Sequence, residues 1–154
     1  MAKTTTQADY QPLILSDVQT LDEYWPYIEP LLQRSVENTA QGMMETADIY
    51  HQAKAGKAYL MVFTAPTPDG PDVSLVLAMA PAIYPRGQGI SIFAAGGNNL
   101  LLLHDRYWSK ICGWAYMNGA RFIEAEVSPA MKRIVSKMGF RQTHIQVRYD
   151  LSEQ

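Results

Sequence analysis

The sequence predicts an α/β fold with a mixed, mostly antiparallel sheet and helices on both faces. Three apolar stretches suited to strands, at residues 59–65, 73–83 and 89–95, follow one another with only short turns between them. Consecutive strands joined by short turns pair antiparallel. After residue 89, strand and helix patterns alternate, and strands connected through a helix lie parallel. The two patterns together predict a mixed sheet.

The chain is expected to form one domain. Its 154 residues are enough to bury a sizeable core, and neither an internal repeat nor a linker divides them. Residues 1–11 are polar, and we expect them to form a flexible tail. Residues 12–154 then form the single domain, beginning with a short strand at 12–15.

Two helices are predicted before the first long strand. A capping-box sequence, Thr20 to Glu23, precedes a stripe of apolar residues at helical spacing. Pro26 and Pro30 lie inside this stripe. Because an internal proline removes a backbone hydrogen bond, we expect the helix to begin near Pro26 or to bend at Pro30. The second helix covers residues 43–55.

Composition and charge exclude several classes of protein. Charged residues make up 18% of the chain, below the roughly 25% of an ordinary domain. This low fraction favours a homo-oligomer, in which part of the surface is buried between subunits. A net charge of −2 argues against a general basic surface for binding nucleic acid. The chain has neither an apolar run of the ~18 residues that a membrane span needs nor a signal peptide, so we expect a cytoplasmic protein with no membrane partner.

A glycine-containing turn joins the strand at 89–95 to the longest predicted helix. It reads Ala94-Ala95-Gly96-Gly97-Asn98-Asn99. A helix N-terminus presents free N–H groups and a partial positive charge, and glycines let an anion approach the backbone. This pattern predicts a phosphate site. A tight turn with Asn98 or Asn99 as the helix N-cap is an equally good interpretation.

Two carboxylates, Glu124 and Glu126, share one face of a strand predicted over residues 122–127. Burying a charge is costly unless it is paired, so this face either opens into a cleft or meets basic partners. Each of the two residues could therefore form an ion pair or act as a catalytic base. Glu126 lies nearer the carboxyl end of the strand, where α/β sheets open to ligands. No metal site is predicted.

The second half of the chain resembles a known enzyme family. It ends with the segment GARFIEAEVSPAMKRIVSKMGFRQT, which is followed by a last predicted strand at 141–151. This ending and the element order before it resemble the GNAT family of N-acetyltransferases, over roughly residues 57–151. The resemblance implies a GNAT-like sheet, acetyl-CoA as acyl donor, and a small-molecule or protein amine as acceptor.

The resemblance also implies roles for individual residues. The turn at 94–99 would cradle the pyrophosphate of coenzyme A, with backbone groups near Ala94 holding its pantetheine arm. Ser128 stands where the family has an asparagine that contacts coenzyme A. Glu126 first, and Glu124 second, would take the proton of the amine. Val135 stands where many members have a tyrosine that protonates the departing thiolate.

Two other functions stay open. The chain resembles small, motif-poor members of the family that tailed phages encode, which implies that the acyltransferase is phage-encoded. A catalytically inactive phage virion or host-interaction protein on the same fold is the first alternative. The second is an acyltransferase that modifies nucleic-acid bases. It would need a basic groove, for which the C-terminal region offers Lys132, Arg133, Lys137, Arg141 and Arg148.

Overall fold

A five-stranded mixed sheet forms the centre of the protein. The computed structural model describes residues 10–37, 43–98 and 100–151. The strands are β1 (Gln11–Ile14), β2 (Tyr59–Thr67), β3 (Gly70–Tyr84), β4 (Gly87–Gly97) and β5 (Ile123–Ala125). They lie side by side in chain order. The first four pair antiparallel and β5 is parallel to β4, which confirms the predicted mostly antiparallel sheet.

Short turns set the antiparallel pairing. Thr67 pairs with Gly70 across a turn of two residues, within the run of prolines and glycine that the sequence marks as a turn. Tyr84 pairs with Gly87 across the next turn. Residues 1–9 of the predicted tail lie outside the described residues, and the first strand already begins at Gln11.

Helices cover both faces of the sheet, as predicted. They are α1 (Val18–Ser35), α2 (Thr46–Lys54), α3 (Leu100–Met117) and α4 (Pro129–Lys137). Buried residues of α1 and α2 pack on one face of the sheet, and those of α3 pack on the other. Across the described ranges, none of these helices combines the length and apolar character that a membrane crossing requires.

Helix α1 begins earlier than its sequence indicates. Its N-cap is Asp17, whose Oδ1 accepts a hydrogen bond from the Thr20 amide at 2.8 Å. Pro26 and Pro30 both lie inside one continuous helix, so the predicted late start is wrong. Each internal proline costs about 3 kcal/mol. The helix offsets this by burying Leu21, Ile28 and Leu32, at roughly 1.5–3 kcal/mol for each side chain.

Strand β4 lies unusually close to its neighbours at its carboxyl end. A Cβ atom on Gly96 would stand 1.9 Å from the carbonyl oxygen of Leu31 in α1. Gly97 has a φ of +119°, and a Cβ there would stand 2.2 Å from the carbonyl oxygen of Ser74. The two glycines are therefore needed for packing, whatever else they do.

The predicted last strand at 141–151 is wrong. Helix α4 ends before Gly139, whose φ is +102°, and residues 140–150 then run outside any helix or strand. This segment pairs with no strand of the described sheet, which ends at β5. In the described part of the chain, one β-α-β crossover forms, from β4 through α3 to β5, where the sequence predicted two.

We predict that Gly96→Ala will destabilise the fold, because its methyl group must push α1 away from β4. Overpacking of this kind costs about 1–3 kcal/mol. The matched control is Gly113→Ala on α3, where a Cβ meets nothing within 4 Å. That change should stabilise the protein by about 0.5–1 kcal/mol. Urea unfolding of both variants measures this, and equal stability of Gly96→Ala and wild type would contradict the close approach.

Candidate functional site

Strands β4 and β5 pair over a short distance and then separate. Their register joins Ile90 to Ile123 and Ile92 to Ala125. The last bond between them runs from the Glu126 amide to the Ile92 carbonyl oxygen, at 3.3 Å. Strand β4 continues to Gly97, but the described part of β5 offers it no partner beyond this point. The sheet therefore opens between the two strands.

A β-bulge explains where the strands separate. In the pairing of β3 with β4, Ala78 lies opposite Ala94 and Met79 lies opposite Ile92. Phe93 is thus an extra residue on β4. A bulge bends its strand and increases the local twist. The bend comes directly after Ile92, which is the last residue of β4 that pairs with β5.

A groove of about 1800 Å³ lies beside β5. It is lined by residues of α3, β5 and α4 and by most of the extended chain that follows α4. Three of the residues predicted as site residues line this groove: Glu124, Glu126 and Ser128. The groove thus brings together side chains that the sequence placed on a strand and at a helix start.

The Glu124 side chain is held by Tyr84. The Tyr84 hydroxyl donates a hydrogen bond of 2.8 Å to Oε2 of Glu124. This hydrogen bond raises the pKa of Tyr84 above its ordinary value, which keeps the hydroxyl protonated as a donor. Because Tyr84 lies opposite Gly87 at the start of β4, the bond draws the Glu124 carboxylate away from the opening between the strands.

Sequence reasoning did not identify Tyr84 as a partner of Glu124. The two residues are 40 positions apart, and only the register of the sheet brings them together. Tyr84 stands directly before the Pro85–Arg86 turn, and its ring also lies 5.7 Å from that of Phe122. The one feature of the sequence near Tyr84 that could have indicated this contact is an aromatic residue at the end of a strand.

Glu126 lies at the opening itself. It directly follows β5, and its amide is the last to bond to β4. Its side chain is exposed and lines the groove. Among the described residues, no lysine or arginine forms an ion pair with Glu126 or Glu124. The structure thus gives no support to the ion-pair interpretation of either residue.

Ser128 presents a hydroxyl group to the groove. It is the N-cap of α4, and its carbonyl oxygen accepts hydrogen bonds from the amides of Met131 and Lys132. Its side chain makes no capping bond, and within the described ranges the hydroxyl has no hydrogen-bond partner. The side chain is half-buried and lines the groove.

In the turn at 94–99, two backbone amides already donate hydrogen bonds to other parts of the protein. Ala94 is buried against the α1 side of the sheet, and the Ala95 amide donates to Oγ of Ser35 at 3.2 Å. The Asn98 amide donates to the carbonyl oxygen of Ser74 at 2.7 Å. Asn99 lies outside the described residues. A phosphate site at Gly96, Gly97, Asn98 and Asn99 stays a prediction.

Two further groove residues bear on the chemistry. Val135, for which the sequence resemblance implies a position that is often tyrosine, lines the groove and carries no hydroxyl. The Cys112 thiol also lines it, and burial raises the pKa of this thiol. A thiol with a raised pKa is a poor nucleophile at neutral pH, which favours an inert role for Cys112.

Known structures share this fold at low sequence identity. No protein-family model matches the chain, and no curated protein matches it with significance. Aminoglycoside N-acetyltransferase AAC(6')-Iy in complex with CoA aligns at a TM-score of 0.59 and 12% identity, covering 96% of this chain and 99% of that one. An aminoglycoside acetyltransferase from an uncultured soil metagenomic sample, in complex with sisomicin, aligns at 0.61 and 7%, covering 94% and 97%.

A third similar structure is a GNAT family acetyltransferase from Staphylococcus aureus. It aligns at a TM-score of 0.59 and 7% identity and covers 93% of this chain and 99% of that one. Identities this low establish a common architecture and nothing about individual residues. The chain has the fold of the GNAT acetyltransferases.

Proposed function

We propose that this chain is an acyl-CoA-dependent N-acyltransferase that transfers an acetyl group to an amine. The observation that carries the proposal is the opening between β4 and β5 after Ile92. There, β4 has an open edge beyond Ile92, and the carboxylate residue Glu126 directly follows the paired part of β5. An extended, amide-bearing ligand can add to such an edge as a further strand would.

The residues at the opening fit a donor such as acetyl-CoA. Its pantetheine arm carries amide groups that can bond to the edge of β4 from Phe93 onward. The hydroxyl of Ser128 offers a further hydrogen bond. The amides of Ala95 and Asn98 are committed elsewhere, so the first turn of α3 is left to hold the phosphates. When bound, the donor supplies a thioester carbonyl that an amine can attack.

Glu126 is the base in this proposal. An amine must lose a proton as it attacks a carbonyl, and a carboxylate within reach can accept that proton directly or through one water. Glu126 is exposed to the groove and carries no ion pair in the described structure. Glu124 takes second place because Tyr84 already donates to it.

Val135 limits the expected rate. It places an apolar side chain in the groove where many GNAT members have a hydroxyl that protonates the thiolate. The departing thiolate must then take its proton from water, so we expect slow transfer to generic amines. The similar structure in complex with sisomicin supports a small polar acceptor. It lends no support to a phage origin, which rests on the sequence resemblance alone.

A non-catalytic binding protein is the second candidate function. The bonded amides of Ala95 and Asn98 and the apolar side chain of Val135 favour it. A nucleic-acid enzyme is less well supported, because acidic as well as basic side chains line the groove: Glu124, Glu126, Asp150, Arg121, Lys132, Arg141 and Arg148.

We predict that millimolar acetyl-CoA will raise the melting temperature, because a ligand that binds the native state stabilises it. Ser128→Ala should weaken binding by about 2- to 10-fold, since one hydrogen bond contributes about 0.5–1.5 kcal/mol. Ser109→Ala, on an exposed position of α3 outside the groove, is the control and should bind as wild type does. The absence of any thermal shift with wild-type protein would refute donor binding.

We predict that Glu126→Gln will lower kcat at least ~10-fold without changing stability, because general bases usually contribute 10²–10⁴-fold. Glu23→Gln, an exposed carboxylate on α1, is the matched control. The measurement is release of free thiol from acetyl-CoA across a panel of polyamines, aminoglycosides and lysine peptides. An unchanged kcat in Glu126→Gln with an acceptor that the wild type uses would remove this residue from the mechanism.

A further inference from the structure

Helix α4 lines the groove but buries little of its own surface. None of its nine residues is buried, whereas α1 and α3 each bury three. An element with few buried apolar contacts opens locally at a low cost in free energy. The start of α4 is fixed by the chain, because only residues 126–128 separate it from β5. The position of its far end therefore depends on contacts with other elements.

His104 of α3 holds the far end of α4. Its Nε2 atom lies 3.1 Å from the carbonyl oxygen of Met138, the C-cap residue of α4. A carbonyl oxygen can only accept a hydrogen bond, so Nε2 carries the hydrogen and donates it. Nδ1 lies 3.6 Å from Oδ1 of Asp105, which is too far for a hydrogen bond. Within the described ranges, the bond to Met138 is the single hydrogen bond of this ring.

The turn after α4 explains why the Met138 carbonyl is available. Gly139 has a φ of +102°, and its amide donates to the carbonyl oxygen of Ser136. The amide of Phe140 donates to the carbonyl oxygen of Val135. These two bonds satisfy carbonyl groups that a helix end leaves without partners. The carbonyl group of Met138 takes its donor from another element, and His104 supplies it.

An aromatic contact joins the same two elements at the same place. The ring centroid of Trp108, one turn after His104 on α3, lies 6.1 Å from that of His104 and 5.6 Å from that of Phe140. Ring contacts of this kind tolerate a range of distances and tilts. A hydrogen bond weakens steeply when its angle changes. The bond from His104 is therefore the contact that sets where α4 ends.

We propose that His104 is a positioning residue for binding of the acyl donor. It acts through α4, because fixing the Met138 carbonyl keeps this helix where Ser128 and Val135 line the groove. His104 itself is not among the residues that line the groove, so it acts without touching the donor. The inference rests on the proposed function, since it assigns to α4 the hydroxyl that binds acetyl-CoA.

The expected effect lies in donor affinity and not in the chemical step. When a protein populates its binding-competent state for only a fraction of the time, the observed affinity falls by that fraction. Without the bond from His104, α4 leaves its position more often. The Kd and the KM for acetyl-CoA should therefore rise. The kcat at saturating donor should stay nearly unchanged, because the bound complex is the same.

Two substitutions of His104 separate its hydrogen bond from its packing. His104→Phe keeps a ring beside Trp108 but has no N–H donor, and it should raise the Kd of acetyl-CoA about 3- to 10-fold in calorimetric titrations. His104→Gln keeps an N–H donor and should restore the Kd to within about 2-fold of wild type. Asp105→Asn is the control and should bind as wild type does, because the Asp105 side chain is 76% exposed.

Amide hydrogen exchange on the free protein tests the effect on α4 without any donor. The amides of residues 132–140 should lose protection in His104→Phe and regain it in His104→Gln, while those of β2 and β3 keep theirs. Unchanged protection in His104→Phe would overturn the inference. So would an unchanged Kd in a variant whose α4 has lost protection, because His104 would then have a purely structural role. Both outcomes leave the proposed function intact, whereas absence of acetyl-CoA binding by the wild type would overturn the two together.

Discussion

The bulge at Phe93 is the constraint on which the arrangement of this protein depends. Strand β4 is the one element that pairs with both an antiparallel and a parallel neighbour, and α1 packs closely over its carboxyl end. The extra residue bends β4 directly after Ile92. Strand β5 cannot follow that bend and separates from β4 at Glu126. The opening between β4 and β5 follows from this separation.

The same geometry gives the carboxylates of Glu124 and Glu126 different surroundings. Both stem from one short region of chain, yet Tyr84 binds Glu124 on the side away from the opening. Glu126 is left at the point of separation with its side chain in the groove. In the proposed function, donor binding uses the open edge of β4 and the hydroxyl of Ser128. The proposed catalysis also uses Glu126, and Val135 in place of a hydroxyl makes the expected rate low.

Much of the fold could be predicted from the sequence because its signals are local. Turn residues between β2, β3 and β4, the apolar periodicity of α3, and the glycine after α4 each act within a few positions. The continuous helix α1 could not be predicted, since packing against the sheet outweighs its two prolines. Nor could the unpaired C-terminal segment, because strand pairing depends on which edge lies within reach.

For the candidate site, the sequence could predict which residues share a strand face or begin a helix, but not which side chains they contact. Glu124, Glu126 and Ser128 do line one groove, whereas the bond from Tyr84 to Glu124 follows from sheet register alone. The Gly96–Gly97 pair shows why a short motif is ambiguous: steric contact with α1 and β3 requires both glycines even without a phosphate. Amide chemical shifts recorded during titration with acetyl-CoA test the central claim most directly. We expect the shifts to change at residues 93–97 and at Ser128, with β1 and β2 unaffected; changes confined to other parts of the sheet would contradict a donor site at the opening between β4 and β5.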